Sequence, residues 1–350
     1  GGVEVVTDAR DPRLALYRAR LRRDHDAYID RGCSLAAEAL FEAGLVDEAE
    51  RRRLQTHPRR RGELRRLPCV VAVHYSWDCF RQLVAAVQAG RRIFVGSALV
   101  PTGTPEELVD LVRGIPRATY AVDRAVFEPE FGQEAGDISD VSDEPPPRRG
   151  GGALWEAGEA RRSPWRRYEG GAAQSTIRYT VVYPLSTPLA QMRPPFLVLD
   201  DLTSAQNVGQ ILRTAYHLGV VSVVASRASW SSLHGRACRV SMGWLYRMDC
   251  HLAEPLTRSL EELKRMGIRV LAAENQFSQP VAQHPPPGRD WALVVGHEGR
   301  GISAAVVAAS DACVCVPQEQ GMCLNVSHAA AICMYELSRG YLGAGGAGGL

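Results

Sequence analysis

The feature that most constrains the fold is a regular alternation of short apolar runs and helical patterns from Pro194 onward. The runs "FLVLD", "VVSVVAS", "IRVLAAE", "WALVVG" and "ACVCVP" predict strands. The stretches "NVGQILRTAYHLG", "LTRSLEELKRMG", "SAAVVAAS" and "NVSHAAAICMYELSRG" predict helices. Strands that alternate with helices are typical of a parallel sheet covered on both faces. We therefore predict an α/β domain over residues 176–342.

The rest of the chain divides by composition. Residues 1–131 contain helical patterns followed by short apolar runs, which predicts a small α/β domain. Residues 132–175 are rich in Gly, Pro, Ser and charge, which is typical of a linker or a disordered insert. Residues 343–350 are a glycine-rich tail.

Composition excludes several classes of protein. The chain lacks a run of about 18 apolar residues, so we expect no transmembrane helix. Its nine scattered cysteines form no C-x-x-C pair, which argues against a disulfide framework or a metal site. Free thiols indicate a reducing compartment, which we predict to be the cytoplasm, or an organelle interior if a targeting segment has been removed.

A dense arginine cluster suggests a contact with phosphate. The segment "RRRLQTHPRRRGELRR" spans residues 51–66 in a chain whose net charge is only +2. Arginine binds phosphate through two parallel hydrogen bonds. The alternative is that arginine is simply the cation of this chain, since Lys264 is its only lysine. The candidate RNA-binding residues in this cluster are Arg51, Arg52, Arg59, Arg60 and Arg61, and the family resemblance given below adds Arg213.

Two strand-to-helix loops carry candidate functional residues, because ligands of parallel sheets bind beyond the carboxyl ends of the strands. In "LDDLTSAQNVGQILRTA", Asn207 opens the helix and Arg213 follows about 600° later around the axis, on a different face. In "VVGHEGRGIS", Glu298 lies among glycines that permit close approach of a ligand. The alternatives are a helix cap with a surface arginine, and a plain glycine-rich turn.

A third loop, in "VPQEQGMCLNVSHAAAICMYEL", leads into the last predicted helix. Gly321 lets the chain turn, and Asn325 and Ser327 begin the helix. Such a loop can present backbone N–H and C=O groups to a flat heterocycle. The alternative is a capped C-terminal helix with small residues for packing.

Taken together, these loops resemble one known family. The stretches "NVGQILRTA", "RVSMG", "ALVVGHEGRGIS" and "VPQEQGMCLNVSHAAAICMYE" resemble the motifs of the TrmH (SpoU) family of RNA ribose 2′-O-methyltransferases, in the SPOUT superfamily. More weakly, residues 1–131 resemble the ribosomal-protein-like substrate-binding domain of many members.

The resemblance implies a parallel sheet with a C-terminal trefoil knot, a homodimer formed through the knotted domain, and S-adenosylmethionine as cofactor. The expected substrate is structured RNA, either rRNA or tRNA, with no metal and no membrane. The catalytic positions it implies are Asn207, Arg213, Glu298 and Asn325. The cofactor-binding positions it implies are Val295, Gly296, Gly299, Val316, Gly321, Cys323, Leu324, Asn325 and Ser327.

Two departures from the family pattern leave alternatives open. Cys323 stands where the family usually has serine, and the loop after Pro317 is one residue shorter than usual. A thiol is a weaker hydrogen-bond donor than a hydroxyl. A catalytically altered or inactive RNA-binding or ribosome-assembly factor of the same fold is therefore the alternative, and base methylation is a further one.

Overall fold

A computed structural model describes residues 3–21, 25–56, 64, 66–74, 76–132, 177–275, 278–284, 288–319 and 323–342. Its strands form two sheets. The predicted insert at residues 132–175 and the tail at 343–350 lie almost entirely outside the described residues. All nine cysteines are free. None of the helices within the described ranges is long and apolar enough to cross a membrane.

The first sheet has five strands in the order β1-β4-β3-β5-β2. Strands β1, β4 and β3 are parallel, whereas β5 runs antiparallel to both β3 and β2. Its strands are β1 (Val3–Val6), β2 (Val70–His74), β3 (Phe94–Pro101), β4 (Ala118–Val122) and β5 (Arg178–Tyr183). The accompanying helices are α1 (Ala15–Leu21), α2 (His25–Glu42), α3 (Glu48–Thr56), α4 (Trp77–Gln88), α5 (Glu106–Val112) and α6 (Arg124–Phe127).

The second sheet has seven parallel strands in the order β10-β12-β9-β11-β6-β7-β8. They are β6 (Phe196–Asp200), β7 (Ser222–Ser226), β8 (Asp249–Ala253), β9 (Arg269–Ala273), β10 (Gln279–Pro280), β11 (Trp291–Gly296) and β12 (Ala312–Cys315). The helices are α7 (Ala205–His217), α8 (Arg227–Trp230), α9 (Gly235–Val240), α10 (Leu256–Arg265), α11 (Ala304–Ala309) and α12 (Val326–Ser338). The predicted parallel α/β sheet is confirmed.

Helices cover both faces of this sheet because successive residues of each buried strand point to opposite sides. Leu197 packs in the same apolar cluster as α7 and α12, while Val198 packs with α10 and α11. Both side chains are fully buried, and burial of one leucine contributes about 1.5–3 kcal/mol. Two-sided burial explains why these strands read as continuous apolar runs rather than as alternating ones.

The structure corrects the predicted division at residue 176. Strand β5 lies in the first sheet, between β3 and β2, although the sequence division placed residues 176–342 in the second domain. The second sheet therefore begins with β6. The error arose because β5 follows the compositionally distinct segment and its apolar residues do not reveal which sheet they join.

The two sheets share a continuous apolar core. The hydroxyl groups of Tyr179 in β5 and Tyr246 lie 3.2 Å apart, and both side chains are buried. Gly243 packs directly on α4, where a Cβ atom would lie 2.9 Å from Cys79 Cα. Because no side chain fits there, the turn at Gly243 holds the second sheet against the first.

Candidate active site

The strand order brings four loops to one edge of the second sheet. Strands β12, β9, β11 and β6 are consecutive neighbours and parallel, so their carboxyl ends meet. The loops that leave these strands contain three predicted motifs and one segment that the sequence analysis did not single out. Ligands of open parallel sheets bind at this edge.

Asn207 is the centre of a hydrogen-bonded chain across these loops. Its Nδ2 donates to Glu298 Oε1 over 2.9 Å, and its Oδ1 accepts from Asn325 Nδ2 over 3.3 Å. Three of the four predicted catalytic residues are thus brought together, from positions about 90 and about 120 residues apart in the sequence. The site-residue assignment itself stays a prediction.

Asn207 does not cap its helix, contrary to the alternative interpretation. Helix α7 begins at Ala205, and the side chain of Ser204 accepts the backbone N–H of Asn207. Ser204 therefore accepts a backbone N–H of the first turn that has no partner within the helix, as N-cap residues do. The amide side chain of Asn207 remains available for its two partners.

Asn325 caps the last helix and anchors the third loop. Its Oδ1 accepts the backbone N–H of Ser327 at 2.9 Å and lies 2.6 Å from Ser327 Oγ. Ser327 Oγ also lies 2.9 Å from Gln210 Oε1 on α7. The capping interpretation is therefore correct for Asn325, yet its Nδ2 still reaches Asn207. Capping and the chain of contacts use different atoms of the same side chain.

Two glycines shape the loop that presents Glu298. A Cβ at Gly296 would lie 2.5 Å from the backbone of Gly301, so only glycine fits there. Gly301 has a positive φ of 70°, and its backbone exchanges hydrogen bonds of 3.1 and 2.9 Å with His297. The loop is thereby closed on itself, and exposed Glu298 is directed toward Asn207.

Glu274 and Asn275, at the end of β9, are site residues that the sequence analysis missed. The Glu274 carboxylate accepts the backbone N–H of Asn275 at 2.8 Å and that of Ile302 at 3.4 Å. Asn275 Nδ2 donates to Cys323 Sγ over 3.1 Å. The strand-end rule applied to "VLAAEN" would have found both residues, although no motif points to them.

Arg213 lies outside the hydrogen-bonded chain. It is exposed on α7, six residues after Asn207, and so projects from a different face of the helix, as predicted. No ion pair of the described residues includes it. Its guanidinium is therefore available to an external anion.

The predicted cofactor-binding residues differ in what they can offer. Val295 is buried in the core, so only its backbone can meet a ligand. Gly299, Cys323 and Leu324 are exposed, and Val316 is half-buried. Gly321 lies outside the described residues. Among the described residues, no three His, Cys, Asp or Glu side chains are grouped to hold a metal ion.

The arginine cluster at residues 51–66 is only partly described, because Arg59, Arg60 and Arg61 fall outside the described residues. Arg51 forms ion pairs with Glu38 and Glu48, and Arg52 pairs with Glu48. These two arginines lower the pKa of Glu48 to about 2. The charges of Arg51 and Arg52 are therefore already compensated within the protein.

Comparisons with known proteins found a matching family and several similar chains. Residues 194–335 match the SpoU rRNA Methylase family. An uncharacterized tRNA/rRNA methyltransferase of Mycobacterium tuberculosis is 36% identical over 146 residues, which is 41% of this chain and 51% of that protein. The 23S rRNA (guanosine(2553)-2′-O)-methyltransferase RlmP of Bacillus subtilis is 32% identical over 40% of this chain and 56% of its own length.

A solved structure extends the similarity of fold to nearly the whole chain. The AdoMet-bound rRNA methyltransferase of Sinorhizobium meliloti superposes with a TM-score of 0.59 at 16% identity, covering 97% of this chain and 99% of that one. In sequence, by contrast, the match spans only about half the length of the curated relatives.

Proposed function

We propose that this chain, whose residues 194–335 form a domain of the SpoU methylase family, transfers a methyl group to a ribose 2′-hydroxyl of RNA. The observation that carries the proposal is the hydrogen-bonded chain Glu298–Asn207–Asn325 at the carboxyl edge of the second sheet. The name of the RlmP relative supports 2′-O-methylation, and the relatives' names support rRNA or tRNA as the substrate class.

S-adenosylmethionine is the proposed methyl donor, and the residues at this edge fit it chemically. Glu274 and Glu298 are carboxylates that favour a sulfonium cation, while Val316 and Leu324 offer apolar surface to a purine ring. The loops also offer backbone groups beside Gly299. The Sinorhizobium meliloti structure, whose title states that it holds AdoMet, supports the same donor by fold alone. When bound, this cofactor supplies an electrophilic methyl group.

The residues of the chain have separate tasks in this proposal. Asn207, held from both sides by Glu298 and Asn325, orients the 2′-hydroxyl. Correct orientation of reacting groups contributes on the order of 7–11 kcal/mol to catalysis. Arg213 binds the adjacent phosphate, because a planar guanidinium can form two parallel hydrogen bonds with phosphate oxygens. The proton of the 2′-hydroxyl is then transferred to a phosphate oxygen, to Glu298 or to water.

We further propose that the chain forms a homodimer through α12. Ile332 and Tyr335 are 40% and 52% exposed, and with His328 they line one side of this helix at spacings of four and three residues. Leu324, which is 37% exposed, lies just before the helix. An exposed apolar stripe of this kind is typical of an interface. The trefoil knot stays a prediction.

Methylation of total RNA tests the proposal. Purified protein, S-adenosylmethionine and total RNA are incubated, the RNA is digested, and 2′-O-methyl nucleosides are measured by mass spectrometry. We expect one new 2′-O-methyl nucleoside, lost with Arg213→Ala and only partly restored with Arg213→Lys. Arg258→Gln, on the opposite side of the sheet, serves as the control for charge loss.

Three outcomes would contradict parts of this proposal. If the methyl group is found on a base rather than on a ribose, the proposed reaction is base methylation instead. Bound RNA without any methyl transfer would favour an assembly factor, and Cys323→Ser, which restores the hydroxyl typical of the family, would then test whether the thiol is responsible. Normal activity of Arg213→Ala would refute the role of Arg213.

A further inference from the structure

We propose that four side chains at the C-terminal end of α7 form a stacking surface for a base of single-stranded RNA. The stacking surface consists of Tyr216, His217, Trp244 and Arg247. This inference rests on the proposed function, because it adds a second contact for the same RNA. None of the four residues belongs to the hydrogen-bonded chain at the strand ends.

The four side chains form a compact aromatic group with a cation beside it. The rings of Tyr216 and Trp244 are stacked, with centroids 4.3 Å apart and an interplanar angle of 19°. His217 meets the edge of Trp244 at 5.1 Å. The guanidinium of Arg247 lies 5.8 Å from the Tyr216 centroid and 5.9 Å from that of Trp244. Base stacking on aromatic rings beside arginine is the usual means of binding single strands.

The stacking surface and Asn207 of the candidate active site lie on the same helix, on different sides of it. Arg213, Tyr216 and His217 are spaced by three and four residues, so they lie on the same side of α7. Asn207 lies nine residues before Tyr216, which is about 14 Å along the axis and about 180° around it. An RNA strand whose target ribose meets Asn207 therefore passes around α7, with its phosphates at Arg213, to place a nearby base on the stacking surface.

The charge of this surface favours RNA over an apolar protein partner. Arg213 and Arg247 are absent from the ion pairs of the described residues, whereas Arg51 is held by two glutamates. Asp249 is close to Arg247 in sequence, but it pairs with Arg91, which lies between α4 and β3. The two arginines thus remain as positive charge next to the half-buried rings of Tyr216 and Trp244 and the exposed ring of His217.

The backbone fixes the orientation of Trp244. Met242 and Gly243, immediately before it, both have positive φ values, of 56° and 80°. Gly243 is packed on α4, as described above, and Tyr216 packs against the shared core. A rigid aromatic pair loses little conformational entropy when a base stacks on it. The turn "SMGW" therefore has a binding role in addition to its packing role.

Fluorescence anisotropy with a fluorescein-labelled single-stranded RNA of about 12 nucleotides tests this surface. We expect Trp244→Leu to weaken binding between about fivefold and about a hundredfold, because the leucine keeps apolar bulk but loses the π-face. Trp244→Phe should restore most of the affinity. Arg247→Gln should lower the slope of log affinity against log salt by about 0.7, and the control Arg258→Gln should not.

Melting temperature and molecular mass measured on the same samples separate the outcomes. If Trp244→Leu binds RNA as tightly as the wild type while both melt alike, the stacking surface is refuted. If the substitution instead converts a dimer into a monomer, the surface is an interface between copies, which also refutes the inference. If the wild type does not bind the single-stranded RNA, the stacking surface is also refuted. The proposed function is tested separately, by the methylation of total RNA.

Discussion

The contact between Asn207 and Glu298 allows a quantitative test of the candidate active site. Substitution of either residue by alanine removes the 2.9 Å hydrogen bond from the Asn207 amide to the Glu298 carboxylate. Hydrogen bonds to charged groups contribute about 1.5–3 kcal/mol, and because Glu298 is exposed we take the lower end, about 1.5 kcal/mol. That energy corresponds to about a tenfold change in rate.

We expect the two substitutions to have non-additive effects on the single-turnover rate of methyl transfer, as measured in a double-mutant cycle. If Glu298 acts by orienting Asn207, the double variant Asn207→Ala/Glu298→Ala should be about tenfold faster than the product of the two single effects predicts. Glu298→Gln is the matched control, because it retains an oxygen that can accept from Asn207. Single effects that multiply to within about twofold would refute the coupling, and the two residues would then act independently.

Three further predictions concern packing, pH and assembly. Gly296→Ala forces a Cβ against the backbone of Gly301, so we expect it to lower the free energy of unfolding by at least about 2 kcal/mol in urea, whereas Gly340→Ala, which meets open space, should change it by less than about 0.5 kcal/mol. Burial lowers the pKa of His74 to about 3, so the unfolded chain takes up its proton first as the pH falls below about 6.5. The contribution of His74 to stability should therefore fall by up to about 1.4 kcal/mol per pH unit between about 6.5 and 3, and His74→Leu should remove that part of the dependence. Tyr335→Glu places a charge on the exposed face of α12, so light scattering should find a monomer, and a variant that stays dimeric would exclude that face.

The second sheet was predictable because its signals are local. Two-sided burial makes strands such as β6 and β11 continuous apolar runs, and both are found where the sequence placed them, at Phe196–Asp200 and Trp291–Gly296. Strand β8 was not predicted, because it is not a continuous apolar run and three of its five residues are not buried. The place of β5 in the first sheet is a long-range pairing, which no local pattern reports.

The candidate site was predictable only in part, because some of it depends on long-range contacts that no local pattern reports. The motif residues Asn207, Glu298 and Asn325 stand out by their position at strand ends and by resemblance, and the structure joins them. Glu274 and Asn275 were missed because a single acid after a strand is common. The stacking of Tyr216 on Trp244 depends on the shape of a turn 28 residues away along the chain, which the sequence does not reveal.

The position of β5 has a consequence for how the two sheets are spaced. The chain leaves the first sheet after β4 and returns to it at β5, so residues 133–176 connect two parts of the same sheet rather than one sheet to the other. The connection between sheets is instead the short stretch 184–195, which is tied to β8 by a 2.8 Å hydrogen bond from Thr187 N–H to the Cys250 carbonyl. Insertions or deletions within 133–176 would leave that connection untouched. The spacing of the two sheets is therefore set by this short stretch and by the apolar core that they share, and not by the length of the segment 133–176.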